Sequence, residues 1–204
     1  MKKLITFLTI FIICISSYNI YGYTYDEKIQ IVKELIKEQL SKEDISDNEI
    51  ELVYKDSKIF TLKIGMSGWN NENACIEITE VYMTFSADDV SYISINDIVN
   101  INNQSFINLF RAKEKKEQQR LEHKENDENI HYITEDIDIS NFSFYIKSNG
   151  NIVFSYYSSK TTSSTLENGE ILESVNEYYV DIPFTFNEIK PYIKKGSALE
   201  YLFK

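Results

Sequence analysis

The pattern that most constrains this chain lies in its second half. Phe142-Ser-Phe144-Tyr-Ile146 and Ile152-Val-Phe154-Ser-Tyr156 flank Asn149-Gly150. Asn-Gly supplies the positive φ values of a tight hairpin turn between two such apolar segments. An antiparallel hairpin is predicted here.

Other segments extend the pattern. Glu49 to Ile64 alternates in part, with a break at Lys55-Asp56-Ser57-Lys58, which predicts two strands joined by a turn. Cys75 to Phe85 reads as a strand, and Ser91 to Ile95 as a short one after an Ala87-Asp88-Asp89 turn. Gly65 to Asn71 and Lys160 to Thr165 read as loops by composition, and Asn168-Gly169 as a further turn. Tyr178 to Ile182 reads as a strand stopped by Pro183.

Helical periodicity is concentrated in a few places. Ile29, Val32, Leu35, Ile36 and Leu40 recur at helical spacing between Asp26 and Glu43, with Lys and Glu between them. Asn96 is expected to cap a single turn to Val99, and Ser105 a second helix through Phe106, Leu109 and Phe110. Beyond Arg111 that helix becomes almost wholly charged, which reads as a solvated end fading into a linker over about 111–129. Thr185-Phe-Asn-Glu188 has capping-box spacing ahead of a short C-terminal helix that ends at Gly196, with Pro191 as a kink or a late start.

These elements fit an α+β fold: one domain, an antiparallel sheet with helices packed mainly on one face. The length of 204 residues suits one domain of ordinary size. Six Gly, two Pro and two Cys exclude collagen-like, low-complexity and disulfide-scaffold classes. The formal charge of −11 argues against nucleic acid as a partner.

Residues 1–22 have the layout of a secretory signal peptide. Lys2 and Lys3 precede an apolar run from Leu4 to Ile15, and small or polar residues follow at Ser16, Ser17 and Asn19. The run falls short of a membrane span, so no stable span is expected after cleavage. Cleavage is expected after Gly22, or after Ser16 or Ser17; lipidation of Cys14 is the alternative. The protein is then exported, periplasmic or extracellular. Loss of Lys2 and Lys3 with no acid takes the charge from −11 to −13, and only Cys75 remains, which excludes an internal disulfide.

Searches for chemistry return little. Gly65-Met-Ser67-Gly68-Trp69 places its second glycine one residue too early for a serine-nucleophile elbow. His123 and His131 stand apart from any metal-ligand spacing, and no metal or other cofactor is expected. Asp88-Asp89 and Asp136/Asp138 are the carboxylate pairs that a glycosidase-like or weak calcium site would use, and solvated charges are the plainer reading. Asn103-Gln-Ser105 and Asn141-Phe-Ser143 match the glycosylation pattern. Trp69, with Asn70, is either a binding anchor on a loop or a lid folded over the core. Tyr157 and Tyr179 complete the candidate binding residues, since one member of each Tyr-Tyr pair is expected to face solvent or a covering layer.

Two segments carry a family resemblance. One is Tyr82-Met-Thr-Phe85 followed by Tyr92-Ile-Ser-Ile-Asn-Asp-Ile-Val99; the other is Phe142 to Phe154 followed by Tyr179-Val-Asp-Ile-Pro-Phe-Thr-Phe-Asn-Glu-Ile-Lys-Pro-Tyr-Ile193. The order resembles an exported bacterial domain found in the sigma-V anti-sigma factor and attached to some peptidoglycan deacetylases. The Gly-Gly-Ala-His loop frequent in that family is replaced here by Ser67-Gly68-Trp69-Asn70. The resemblance covers roughly 60–200, preceded by the helix at Asp26–Glu43, and makes residues 23–204 one such domain. It implies a non-catalytic binding or sensing module of the cell envelope, with a basic protein such as lysozyme or an envelope glycan as partner. The alternative is an enzyme acting on envelope polysaccharide or peptidoglycan through paired carboxylates.

Overall fold

The computed structural model describes residues 22–42, 47–70, 75–125, 130–132, 138–147, 149–165 and 171–203. Residues 1–21 of the proposed signal segment 1–22, and the Asn168-Gly169 turn, lie outside them. The fold is α+β and the described strand ladders run antiparallel, as expected. The strands form two sheets, where one was expected. The chain divides into two compact units, one of residues 1–94 with 145–148 and one of residues 95–144 with 149–204.

In the first unit, helix α1 (Tyr25–Lys42) covers a three-stranded sheet in the order β1 (Asp47–Lys55), β2 (Ile59–Asn70), β3 (Cys75–Ser86). A capping box starts α1: Thr24 N donates to Glu27 Oε2 at 2.7 Å, and Glu27 N donates to Thr24 Oγ1 at 3.4 Å. Its buried stripe of Ile29, Val32, Ile36 and Leu40 packs with Phe60, Leu62 and Ile64 of β2 and Val81, Met83 and Phe85 of β3. The register makes those strand residues partners: Phe60 opposite Phe85, Leu62 opposite Met83, Ile64 opposite Val81. Alternation thus places these six apolar residues on the helix side of the sheet.

The opposite face of this sheet is polar at its centre. Thr61 and Thr84 share a buried hydrogen bond of 2.9 Å, and Lys63 pairs with Glu80 at 2.6 Å. Tyr82 stacks on Tyr145 with ring centroids 3.9 Å apart. The predicted break at 55–58 is the β1–β2 turn, where Asp56 Oδ1 accepts from Lys58 N and Ile59 N.

The loop expected at 65–71 is instead the end of β2. Gly65 to Asn70 continue the ladder, with Trp69 opposite Ile76 and Asn70 opposite Cys75. Cross-strand pairing overrides the local Gly and Asn content, because a paired backbone satisfies its amides without side-chain help. The short strand expected at Ser91–Ile95 reduces to one bridge, Phe85 with Tyr92.

The second unit contains α2 (Ile95–Ile98), α3 (Gln104–Glu125), β4 (Ile130–Tyr132), β6 (Ile152–Thr165), β7 (Ile171–Phe184) and α4 (Phe186–Ile189). Strand β5 (Ser143–Ile146) straddles the division, and the four strands form one sheet around β6. The hairpin predicted around Asn149-Gly150 is present as β5–β6. Among the described residues of this turn Gly150 alone takes positive φ, at +82°, where two were expected; five residues rather than two connect the strands.

The polar loop expected at 160–165 is the outer half of β6, which pairs with β7 from Ile152–Phe184 out to Thr165–Ile171. Pro183 does not stop β7; it sits within the strand opposite Val153. Among the described residues β7 pairs only with β6, and an edge position is where a strand tolerates proline.

Residues 152, 154 and 156 of β6 and 180, 182 and 184 of β7 are buried. Phe106 and Phe110 of α3 pack on this face: Phe110 lies 5.7 Å from Phe154 and 5.9 Å from Phe184 between ring centroids. Helix α3 is capped by Asn103, whose Oδ1 accepts from Ser105 N and Phe106 N. Ser105, the expected cap, lies within the first turn. Asn96, the other expected cap, lies inside α2, which begins one residue earlier.

Two further expectations are settled in this unit. The charged stretch is helical to Glu125 and is partly packed, with Glu114 only 7% exposed. The Thr185–Glu188 capping box forms as expected. Pro191 falls in a 3-10 turn, Lys190–Tyr192, that follows α4.

Candidate functional site

The four candidate binding residues fall into two pairs, one in each unit. Trp69 and Asn70 occupy the last two positions of β2, and their side chains lie outside the described residues. Tyr157 of β6 and Tyr179 of β7 are register partners, an arrangement that their separation in sequence conceals. The Tyr157 side chain is also outside the described residues, whereas Tyr179 is half-buried.

The Tyr157–Tyr179 position belongs to the side of the β6–β7 ribbon opposite α3. Two residues inward along the same ladder, Ser155 stands opposite Asp181, and two further inward Val153 stands opposite Pro183. Ser155 is 1% exposed, and its Oγ has no hydrogen-bond partner among the described residues. A buried hydroxyl without a partner is costly, so this polar step is the least explained point of the ribbon. Ser143 Oγ reaches the same residue from β5 by donating to Ser155 O at 3.1 Å. Sequence reasoning missed Ser155 and Asp181. The alternation that sets Tyr157 on the face opposite α3 also sets Ser155 there, but only the register brings Asp181 beside it.

On the α3 side a polar network lies among the aromatic rings. Gln118 Nε2 donates to Tyr156 OH at 2.9 Å, and Arg111 Nη1 donates to Glu114 Oε2 at 2.7 Å. Glu114 lies one helical turn beyond Phe110 on the packed stripe, which is why it is buried.

A second tyrosine cluster surrounds the β1–β2 turn in the first unit. Tyr54 OH donates to Asp56 Oδ2 and Tyr25 OH donates to Ile59 O, each at 2.7 Å. Lys55 Nζ lies 5.0 Å from the Tyr25 ring centroid and pairs with Asp26. Burial, then the Asp56 carboxylate, pushes both phenols well above the usual tyrosine range. Both hydroxyls therefore act as neutral hydrogen-bond donors: Tyr25 ties the start of α1 to the first residue of β2, and Tyr54 braces the Asp56 turn.

Three of the carboxylates considered for catalysis, Asp88, Asp89 and Asp138, have structural partners. Asp88 pairs with Lys58 at 3.8 Å. Asp89 Oδ1 accepts from Ser91 N and Oγ; burial pushes its carboxyl up, and the bonds from Ser91 and Ser86 outweigh this to hold it below the usual range. Asp138 Oδ1 accepts from Ser140 N, which lowers its carboxyl, and Asp136 lies outside the described residues. The side chains of His123, His131 and Cys75 lie outside them as well. Among the described residues no group of three or more His, Cys, Asp or Glu is placed to hold a metal ion. No helix among them is long and apolar enough to cross a membrane.

No protein-family model and no curated protein matches the chain. The family resemblance read from the two aromatic segments therefore rests on those residues alone.

Proposed function

We propose that this chain is an exported, non-catalytic binding or sensing module of the bacterial cell envelope, whose partner is a basic protein such as lysozyme or an envelope glycan. The observation that carries the reading is the net acidic charge. Lys42, Lys55, Lys58, Lys63, Arg111, Lys113 and Arg120 each pair with an acid of the same chain. Each such pair also neutralises one acid, and with 32 acids against 21 Lys and Arg a net acidic surplus remains. Such a surplus steers a basic partner toward the protein and makes the association sensitive to salt.

The family resemblance supports the envelope setting, and the sequence pattern of residues 1–22 supports export. The structural engagement of Asp88, Asp89 and Asp138 favours binding over hydrolysis by those residues. Titration calorimetry of the chain from Tyr23 with lysozyme, at low and at near-physiological salt, tests the proposal. Binding that weakens as salt rises is expected, and no heat at low salt overturns the lysozyme version. Turnover of muropeptides by the purified chain, lost in Asp→Asn variants, overturns the non-catalytic reading.

A further inference from the structure

The Asn149-Gly150 tip of the β5–β6 hairpin is built for a reaction of its own, independent of any ligand. Asn149 is exposed, so water and base reach its side-chain amide. The next residue is glycine, which puts no Cβ in the way of its own backbone nitrogen. Asn149 Oδ1 accepts a hydrogen bond of 3.1 Å from Asn151 N. That bond closes an Asx turn, which keeps the Asn149 side chain alongside the peptide of Gly150 and Asn151 instead of extended into solvent. It also places an N–H donor on the oxygen that gains negative charge when Cγ is attacked, the arrangement of an oxyanion hole.

We propose that Asn149 is a site of spontaneous deamidation through a cyclic imide in the folded protein. Gly150 N loses its proton to solvent base and attacks Asn149 Cγ. A new C–N bond forms, the Cγ–Nδ2 bond breaks, and the side-chain nitrogen takes a proton from solvent and leaves as ammonia. Water then opens the five-membered ring. Opening at one carbonyl restores the main chain with aspartate at 149; opening at the other routes the main chain through the former side-chain carbon and leaves isoaspartate. No oxidant or reductant takes part, and the net change is water in and ammonia out. The product carries one more negative charge on an already acidic chain.

The two products differ in their effect on the fold. Aspartate keeps an oxygen for the Asn151 amide. Isoaspartate lengthens the main chain next to Gly150, where a Cβ would lie only 2.7 Å from Phe186 Cε2. The isoaspartate form therefore unfolds at a lower temperature than the aspartate form.

The test is incubation of the folded chain in mildly alkaline buffer, followed by peptide mapping with mass spectrometry and enzymatic isoaspartate detection. Mapping separates this site from Asn168-Gly169. Asn149 is expected to convert before the exposed Asn100 and Asn187, which precede Ile and Glu, with both aspartate and isoaspartate formed. Asn149→Gln is expected to abolish isoaspartate at this position while leaving the fold intact. Three results overturn the proposal: no conversion at Asn149 in the folded chain, whether or not a urea-unfolded sample converts; conversion no faster than at Asn100 and Asn187; or aspartate without isoaspartate, which means direct hydrolysis with no ring through Gly150 N.

Discussion

Lys113 Nζ lies 2.8 Å from Glu188 Oε1 and donates at 3.0 Å to Pro183 O, so one ammonium joins α3 to the corner between β7 and α4. The other oxygen of Glu188 accepts from Thr185 N and Oγ1 in the capping box. Burial pushes the Glu188 carboxyl up, but the bonds from Lys113 and Thr185 outweigh it and hold the group below its ordinary 4.5. A carboxyl depressed on folding adds stability above its unfolded pKa, and that stability is lost as pH falls through the folded value. Glu188→Gln is therefore expected to lower stability by about 1 kcal/mol at neutral pH, a figure set by capping and a partly exposed ion pair. Urea titrations at neutral pH and below pH 4.5 should show the gap between variant and parent closing in acid. A gap that is independent of pH contradicts this account.

Glu114 is buried on the α3 stripe with Arg111 as its ion-pair partner at 2.7 Å. Arg111→Ala leaves the carboxylate with a desolvation cost and no guanidinium, and is expected to cost about 3 kcal/mol. The double variant Arg111→Met with Glu114→Leu should recover most of that loss, since a matched apolar pair removes the stranded charge. Chemical denaturation of the two variants and the parent provides the check.

Gly150 combines a φ of +82° with the Phe186 ring packed where a side chain would begin. Gly150→Ala is expected to destabilise by roughly 1–2 kcal/mol from the left-handed backbone alone, plus whatever the ring must yield. Adding Phe186→Leu should return part of the steric share and none of the backbone share. Thermal melts of the single and double variants separate the two contributions.

Val90 is a β-branched residue with φ of 53° whose side chain is buried in the first unit's core. The turn around it leaves no alternative: Val90 N donates to Ser86 O, Ser86 N to Ser91 O, and Asp89 holds Ser91. Lys28 Nζ fastens the same turn to α1 by donating to Ala87 O and Asp88 O. The strain is of the order of 1–2 kcal/mol. Val90→Gly relieves it and Val90→Ala does not, although both lose the same kind of packing. The usual order is expected to invert, with glycine at 90 no less stable than alanine in denaturant titration.

Local chemistry in the sequence was enough for elements whose signal lies within a few residues. The α1 stripe, the Thr185–Glu188 capping box, the β1–β2 turn at Asp56 and the β5–β6 hairpin all depend on contacts between near neighbours, and all are present. Thr24-x-x-Glu27 carries the same capping signal at the start of α1 and was there to be read. The α+β class with antiparallel strands follows from the same local patterns.

What local patterns did not contain is the length of the strands and the company their residues keep. Residues 65–70 and 160–165 look like loops, yet partners at 75–80 and 171–176 extend them as strands. Glu114 reads as a solvated charge until α3 is laid over Phe154 and Phe184, and the charged helix then proves to be half a core element. Tyr157 and Tyr179 were each visible in the sequence, but only the register makes them partners and sets Ser155 against Asp181 beside them. Sequence alone determined the elements whose free energy is local. Tertiary structure decided the rest, because backbone pairing and burial depend on which distant segment arrives opposite, and no short window of residues contains that information.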